Sequence, residues 1–230
     1  GVMQSMRLRM KQAVDDNLSQ EEFLYRLLHD EVERREQKQL EMRLRRASFE
    51  SDRTLEAFDF HFNPKLPKTK IIDLGTCAFV GRHENVLFVG PTGVGKSHIA
   101  QALGHRACGL QHDVVYLQAN KLFAQLRAAR ADGSYDRRLV KFGNVGLLIL
   151  DDLGLQPLRG DEPNDLYEII RLRHGRGAMV VTSNRAVEEW YPLFGDALLA
   201  SAAMDRLLDH AHVIVMEGKS HRGQRREEAA

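Results

Sequence analysis

The sequence is poor in thiols and has almost no net charge. Cys77 and Cys108 are its only two cysteines. They stand far apart and match no metal-binding or redox spacing, which excludes a disulfide-framed secreted fold and points to reduced thiols in the cytoplasm. The 33 basic side chains face 32 acidic ones, leaving +1, so overall charge nominates no polyanionic partner and any basic surface must come from local clustering. No apolar run approaches the roughly 20 residues of a membrane-spanning helix. The start GVMQSMRLRMKQ also lacks the apolar centre of a signal peptide. A soluble cytoplasmic protein without a membrane partner is expected. The chain starts at Gly1 rather than Met and so reads as processed or truncated. Its 230 residues suffice for one sizeable core and an appendage.

Glycine and proline are absent from residues 20–46, QEEFLYRLLHDEVERREQKQLEMRLRR, which predicts a long helix. Phe23, Leu24, Leu27, Leu28 and Val32 offer an apolar stripe along its first turns. In its second half Arg34, Arg35, Lys38, Arg43, Arg45 and Arg46 outnumber Glu36 and Glu41. Two readings stay open for that half: a solvated helix laced with i,i+4 ion pairs, or a surface that follows phosphates.

Residues 51–84 carry FDFHFNPKLPKTK, whose prolines break regular structure, and read as a linker leading into the main domain. From residue 85 onward strand and helix patterns alternate. Strands are expected at 86–90, 113–119, 145–151, 178–183 and 212–217, and helices at 96–109, 120–131, 163–175 and 197–209. Such alternation predicts a three-layer α/β domain with a parallel sheet covered on both faces. The expected organisation is a small all-helical N-terminal domain (1–50), the linker (51–84) and the α/β domain (85–230).

GPTGVGKS, residues 90–97, matches GxxxxGK[ST], and it falls where the mechanism requires, after one strand and opening one helix. This defines a P-loop. Gly90, Pro91, Thr92, Gly93, Val94 and Gly95 would wrap a phosphate with backbone N–H groups, helped by the helix N-terminus that includes His98. Lys96 would reach the β- and γ-phosphates of ATP, and Ser97 would ligate Mg²⁺.

In LLILDDLG, residues 147–154, four aliphatic residues end on two carboxylates. Burying carboxylates at a strand end is costly without a cation or donors to receive them. Asp151 would ligate the Mg²⁺ through water, and Asp152 would polarise an attacking water near the γ-phosphate. The strand ending in VVTSNR (180–185) should insert between the P-loop strand and the Asp151 strand. Asn184 would then lie between Lys96 and Asp152, where its donor and acceptor suit water positioning.

Together these segments resemble the AAA+ ATPases of the bacterial initiator and helicase-loader branch, DnaA/DnaC-like proteins. More narrowly they resemble IstB-type helper ATPases of insertion-sequence transposition. The resemblance runs over nearly all of the chain: RRASFES and LEAFDF, then HENVLFVGPTGVGKSHIAQALG, LLILDDLGLQPL, VVTSNR and FGDALLASAAMDRLLDHAHVIVMEGKSHR. It implies ATP-dependent oligomerisation on duplex DNA, ATP at subunit interfaces, and delivery of that complex to a partner transposase. It also implies that Arg206, in AMDRLL, reaches the γ-phosphate of a neighbouring subunit.

Three departures from the family pattern stand out. Asp152 occupies a position that is often Glu. The closing Ser-Tyr-Arg is Ser220-His221-Arg222. The stretch beyond Arg222 is too short for a helical lid, so neighbouring subunits would cover the nucleotide.

For DNA, the basic residues of 121–141 are the first candidates: Lys121, Arg127, Arg130, Arg137, Arg138 and Lys141, against Asp132 and Asp136. Arg43, Arg45 and Arg46 come second. Contacts of this kind follow a backbone without reading sequence. His210 and His212 lack a visible third ligand, so no metal site is expected there. The rival functions are a helicase loader, which would prefer single strands, and an ATP-assembled DNA scaffold with negligible hydrolysis. A small-molecule P-loop kinase would leave Asn184, Arg206 and the basic helices unexplained.

Overall fold

The computed structural model describes residues 2–218. Its helices are α1 (Val2–Asp15), α2 (Gln20–Ala47), α3 (Lys68–Leu74), α4 (Ala78–Gly81), α5 (Lys96–Gly109), α6 (Ala119–Ala131), α7 (Tyr135–Asn144), α8 (Glu162–Arg173) and α9 (Ala197–Leu208). The strands are β1 (Val86–Val89), β2 (Val114–Gln118), β3 (Leu147–Leu153), β4 (Ala178–Ser183) and β5 (His212–Val215). They form one parallel sheet in the order β2-β3-β4-β1-β5. Every residue of β1 and β4 is buried, as continuous aliphatic strands between two helical layers must be. As the sequence predicts, β4 lies between β1 and β3, with Val181 in register with Leu87 on one side and Leu150 on the other.

Side chains alternate along a strand, and that alternation sorts the core from the site. Leu87, Val89, Leu148, Leu150, Met179 and Val181 meet Leu122, Phe142, Ile169, Trp190 and Met204 in one apolar cluster beneath α6 to α9 and the 3₁₀ segment Val187–Phe194. The opposite phase, with Tyr116, Ile149, Asp151 and Thr182, belongs to the face of α5. That helix carries small residues because it sits close: a Cβ on Gly104 would lie 2.6 Å from the Phe49 ring and 2.7 Å from Ile149. Small residues in α5 therefore bring the P-loop down onto the sheet.

Three local features go beyond the sequence reading. The segment read as linker contains α3 and α4, and α3 begins directly after Pro67, which cannot itself sit inside the helix. The basic stretch after β2 is two helices, broken at Gly133 with φ +74°, where Asp132 accepts from the backbone N–H and hydroxyl of Ser134. Helix α1 precedes the long helix.

The chain divides into a unit of residues 1–43 and a unit of residues 44–230. In the first, Arg9 grips Asp30 through two hydrogen bonds of 2.8 and 2.6 Å. Two helices cannot enclose a core. Leu24, Leu28 and Val32 of the expected apolar stripe are accordingly more than half exposed.

Candidate nucleotide site and basic faces

Gly90, Gly93 and Gly95 have φ of +142°, +86° and +103°, a region closed to most side chains. At Gly90 a Cβ would also fall 2.0 Å from the Met216 carbonyl oxygen, and at Gly95 2.7 Å from the Phe58 ring. All three glycines are thus required by backbone angle, and Gly90 and Gly95 by space as well. Pro91 and Thr92 are exposed, Val94 is buried, and Ser97 and His98 are partly buried in the first turn of α5. His98 lies 3.2 Å from the Thr54 carbonyl and edge-on to Phe58. Burial holds its pKa below the usual imidazole value.

Lys96 is only 4 % exposed. Its ammonium has three protons and donates at 2.7 Å to each of three oxygens: the carbonyls of Gly90 and Pro91 and Oδ1 of Asn184. Burial pushes its pKa below the ordinary lysine value, while Asp152 and Asp151 pull it back. The bond to Asn184 brings the end of β4 to the P-loop.

Asp151 ends the regular part of β3 and is 2 % exposed. Its Oδ2 accepts from the Tyr116 hydroxyl at 2.7 Å, and its Oδ1 accepts a short bond from the Thr182 hydroxyl. Both partners come from neighbouring strands on the α5 face. Burial first, then the bond to Asp151, keeps the Tyr116 hydroxyl protonated far above the usual phenol range. Just beyond, the β3–β4 register slips between Leu150 and Leu153. Asp152 takes φ +58° there, and its N–H bonds the Thr182 hydroxyl oxygen at 2.9 Å. A bulge re-aims a side chain at a strand end, and Asp tolerates this backbone region better than most residues.

Arg206 is not part of this cluster. Its guanidinium donates to the Ala202 carbonyl of its own helix and lies over the Tyr167 ring of α8. Ser220-His221-Arg222 falls outside the described residues.

The basic residues separate into two groups. Arg130 grips the buried carboxylate of Asp165 through bonds of 2.6 and 2.8 Å, Arg127 pairs with Glu162 at 2.6 Å, and Lys121 pairs with Glu50 at 3.1 Å. Arg137 and Lys141 are exposed and Arg138 is half-buried. Among the described residues none of these last three makes an ion pair within 4 Å, although Arg137 and Arg138 lie close enough to hold the Asp132 carboxyl below its usual pKa. On α2, Arg34 and Arg35 share Glu31, Arg43 contacts Gln39, and Arg45 and Arg46 are exposed.

Tyr116, Thr182 and Phe58 escaped the sequence reading, although Tyr116 and Thr182 leave a signal. Each is a hydroxyl in a strand otherwise built to be buried, and a buried hydroxyl needs a partner. Phe58 leaves none, because its approach to Gly95 is set by the path of the chain before β1.

Against known proteins, the chain matches the family described as IstB-like ATP binding protein over residues 1–229. A protein named as an ATP-binding protein in an insertion sequence of Mycobacterium tuberculosis is 38% identical over 227 residues, covering 98% of this chain and 90% of its own length. Among solved structures, the DnaC helicase loader aligns with a TM-score of 0.58 at 21% identity, over 73% of this chain and 100% of its own. The replication initiator DnaA bound to AMPPCP and single-stranded DNA aligns with a TM-score of 0.60 at 18% identity over 72% of this chain, and the alignment spans 50% of that longer protein. At such identities the structural likeness is one of fold, a P-loop α/β fold of the AAA+ type.

Proposed function

The chain belongs to the family of IstB-like ATP-binding proteins, and from that premise we propose that it is an ATP-dependent, DNA-binding ATPase that assembles on duplex DNA and assists a partner transposase. The observation that carries the reading is the hydrogen bond from Lys96 to Asn184. It ties the P-loop to the end of β4, with Asp151 and Asp152 ending the next strand, so that phosphate-binding and water-handling groups share one end of the sheet. In this reading the N–H groups of the glycine loop and Lys96 hold the phosphates of ATP. Lys96 must release one of its three oxygens to do so.

The site also fits a divalent cation. The Asp151 carboxylate is buried, its hydrogen bonds come from two neutral hydroxyls, and no Lys, Arg or His nitrogen lies within 4 Å of it among the described residues. A buried anion in that condition is incompletely compensated. Ser97 and Asp151 would hold Mg²⁺, whose charge offsets that of the β- and γ-phosphates when bound. Asp152 accepts the proton of the attacking water, and Asn184 orients that water. Arg206 acts on a neighbouring subunit's γ-phosphate, which makes ATP part of the assembly interface. Arg137, Arg138 and Lys141, with Arg45 and Arg46 second, contact DNA phosphates without base readout. Residues 1–50 form the domain for DNA or partner binding, and the protein acts in the cytoplasm.

Phosphate release from Mg-ATP, measured without DNA, with duplex and with single strands, tests the reading. Stimulation by duplex is expected. Stimulation by single strands alone would favour a helicase loader. No release under any condition would overturn the hydrolytic role and leave an ATP-assembled scaffold.

A further inference from the structure

Two hydroxyls on the α5 face take no part in phosphate binding, water handling or the trans-subunit contact. Tyr116 on β2 and Thr182 on β4 flank β3 from either side and each donates to a different oxygen of Asp151. Tyr116 stands in register with Ile149, two residues before Asp151, so the alternation of the sheet delivers its ring to the same face as the carboxylate. The ring is itself fixed: it is buried and lies 6.1 Å from the Phe49 ring, which stacks on His105 of α5. Thr182 is fully buried, and its hydroxyl oxygen also receives the Asp152 N–H. One threonine thereby sets the rotamer of Asp151 and the backbone of Asp152.

We propose that Tyr116 and Thr182 are positioning residues that clamp the Asp151 carboxylate in the one orientation from which it can serve the cation of the nucleotide site. A carboxylate oxygen offers two lone pairs. One hydroxyl on each oxygen occupies half of that capacity and leaves the rest for water donors. Mg²⁺ gives up its hydration shell reluctantly, so a carboxylate held in one orientation and already partly satisfied suits the hydrated ion. The alternative is that the two hydroxyls only lower the cost of burying Asp151 and have no bearing on the cation.

This inference rests on the nucleotide reading, and one titration separates the two. The full chain is bound to a fluorescent, non-hydrolysable ATP analogue, first in EDTA and then with increasing MgCl₂. Removal of an outer-shell partner of a metal ligand typically lowers metal affinity by about 10-fold or more, and a residue that orients such a partner acts one shell further out and should move it less. Tyr116→Phe and Thr182→Val should therefore raise the MgCl₂ concentration at half-effect about threefold or more, with affinity in EDTA unchanged. Thr182→Ser, which keeps the hydroxyl, should restore the wild-type midpoint. A Tyr116→Phe chain that melts at the wild-type temperature and keeps the wild-type midpoint would overturn the clamp, because removal of one oxygen atom leaves packing intact. If Thr182→Ser and Thr182→Val share one midpoint, the threonine hydroxyl has no such role. Failure of the wild-type chain to bind the analogue would instead remove the nucleotide reading, and the clamp with it.

Discussion

The P-loop end of the sheet and the basic stretch on α6 and α7 are both prominent in the sequence, yet they stand differently in the structure. At the P-loop end, residues singled out by spacing meet: Lys96 bonds Asn184, and Asp151 and Asp152 end the strand beside β4. On α6 and α7, six cations that look equivalent in sequence divide. Lys121, Arg127 and Arg130 are paired with Glu50, Glu162 and Asp165, whereas Arg137, Arg138 and Lys141 are not paired among the described residues. A motif whose spacing is tied to a strand–turn–helix carries geometry with it. A count of charges does not, because the partner that neutralises each cation can stand far away in the chain.

The sharpest way to test the first region is to remove its cation. Lys96→Ala takes away an ammonium that makes three hydrogen bonds. Charge-assisted bonds contribute about 1.5–3 kcal/mol each, and one or two of them turned from these oxygens to phosphate correspond to a fall in affinity for the non-hydrolysable ATP analogue of roughly a hundredfold on their removal, read by fluorescence titration. Binding within about threefold of wild type would mean that the glycine loop does not hold phosphate.

The second region can be broken from inside. Arg130→Ala leaves Asp165, 2 % exposed, with the Tyr135 hydroxyl as its remaining side-chain donor. Removing one partner of a buried charge pair costs about 3–5 kcal/mol; the tyrosine and the partial exposure of Arg130 should hold the loss to about 2–3 kcal/mol by denaturant titration. Arg127→Ala, on the same helix and also facing α8 but exposed, should cost under about 1 kcal/mol. Equal losses would remove the distinction between structural and available cations. Neither substitution should act on DNA as strongly as charge reversal on α7.

Legibility follows the same division. All five strands, the insertion of β4 and the phosphate-binding loop were readable, because aliphatic runs and a fixed motif constrain the backbone locally. Helix α7 was not read from the sequence: the expected helix stopped at 131, and the ten residues Tyr135–Asn144 beyond the turn are too short and too charged to announce a second one. The placement of α3 and α4 depends on packing of Ile71, Leu74, Phe79 and Val80, which no local periodicity announces over such short spans. The clamp on Asp151 required the sheet order first: Tyr116 and Thr182 are 66 residues apart in sequence and meet only because β3 lies between their strands.

Reversal of Arg137 and Arg138 to Glu is the subtler break, since it should change binding and leave the fold alone. Helix α7 is anchored by Leu139 and Phe142, both buried, and by Arg173, whose guanidinium donates to the Phe142 carbonyl at 2.7 Å. None of these contacts involves the two reversed residues, so the change in stability should stay within about 0.5 kcal/mol. Each phosphate contact contributes about 0.9 to the slope of log affinity against log salt on duplex DNA. Loss of two contacts should flatten that slope by roughly 2 and weaken binding about tenfold near physiological salt. Anisotropy titrations with a labelled duplex at several salt concentrations would show both effects. An unchanged slope would take α7 away from the DNA and leave Arg45 and Arg46 of α2 as the remaining exposed candidates without an ion pair among the described residues.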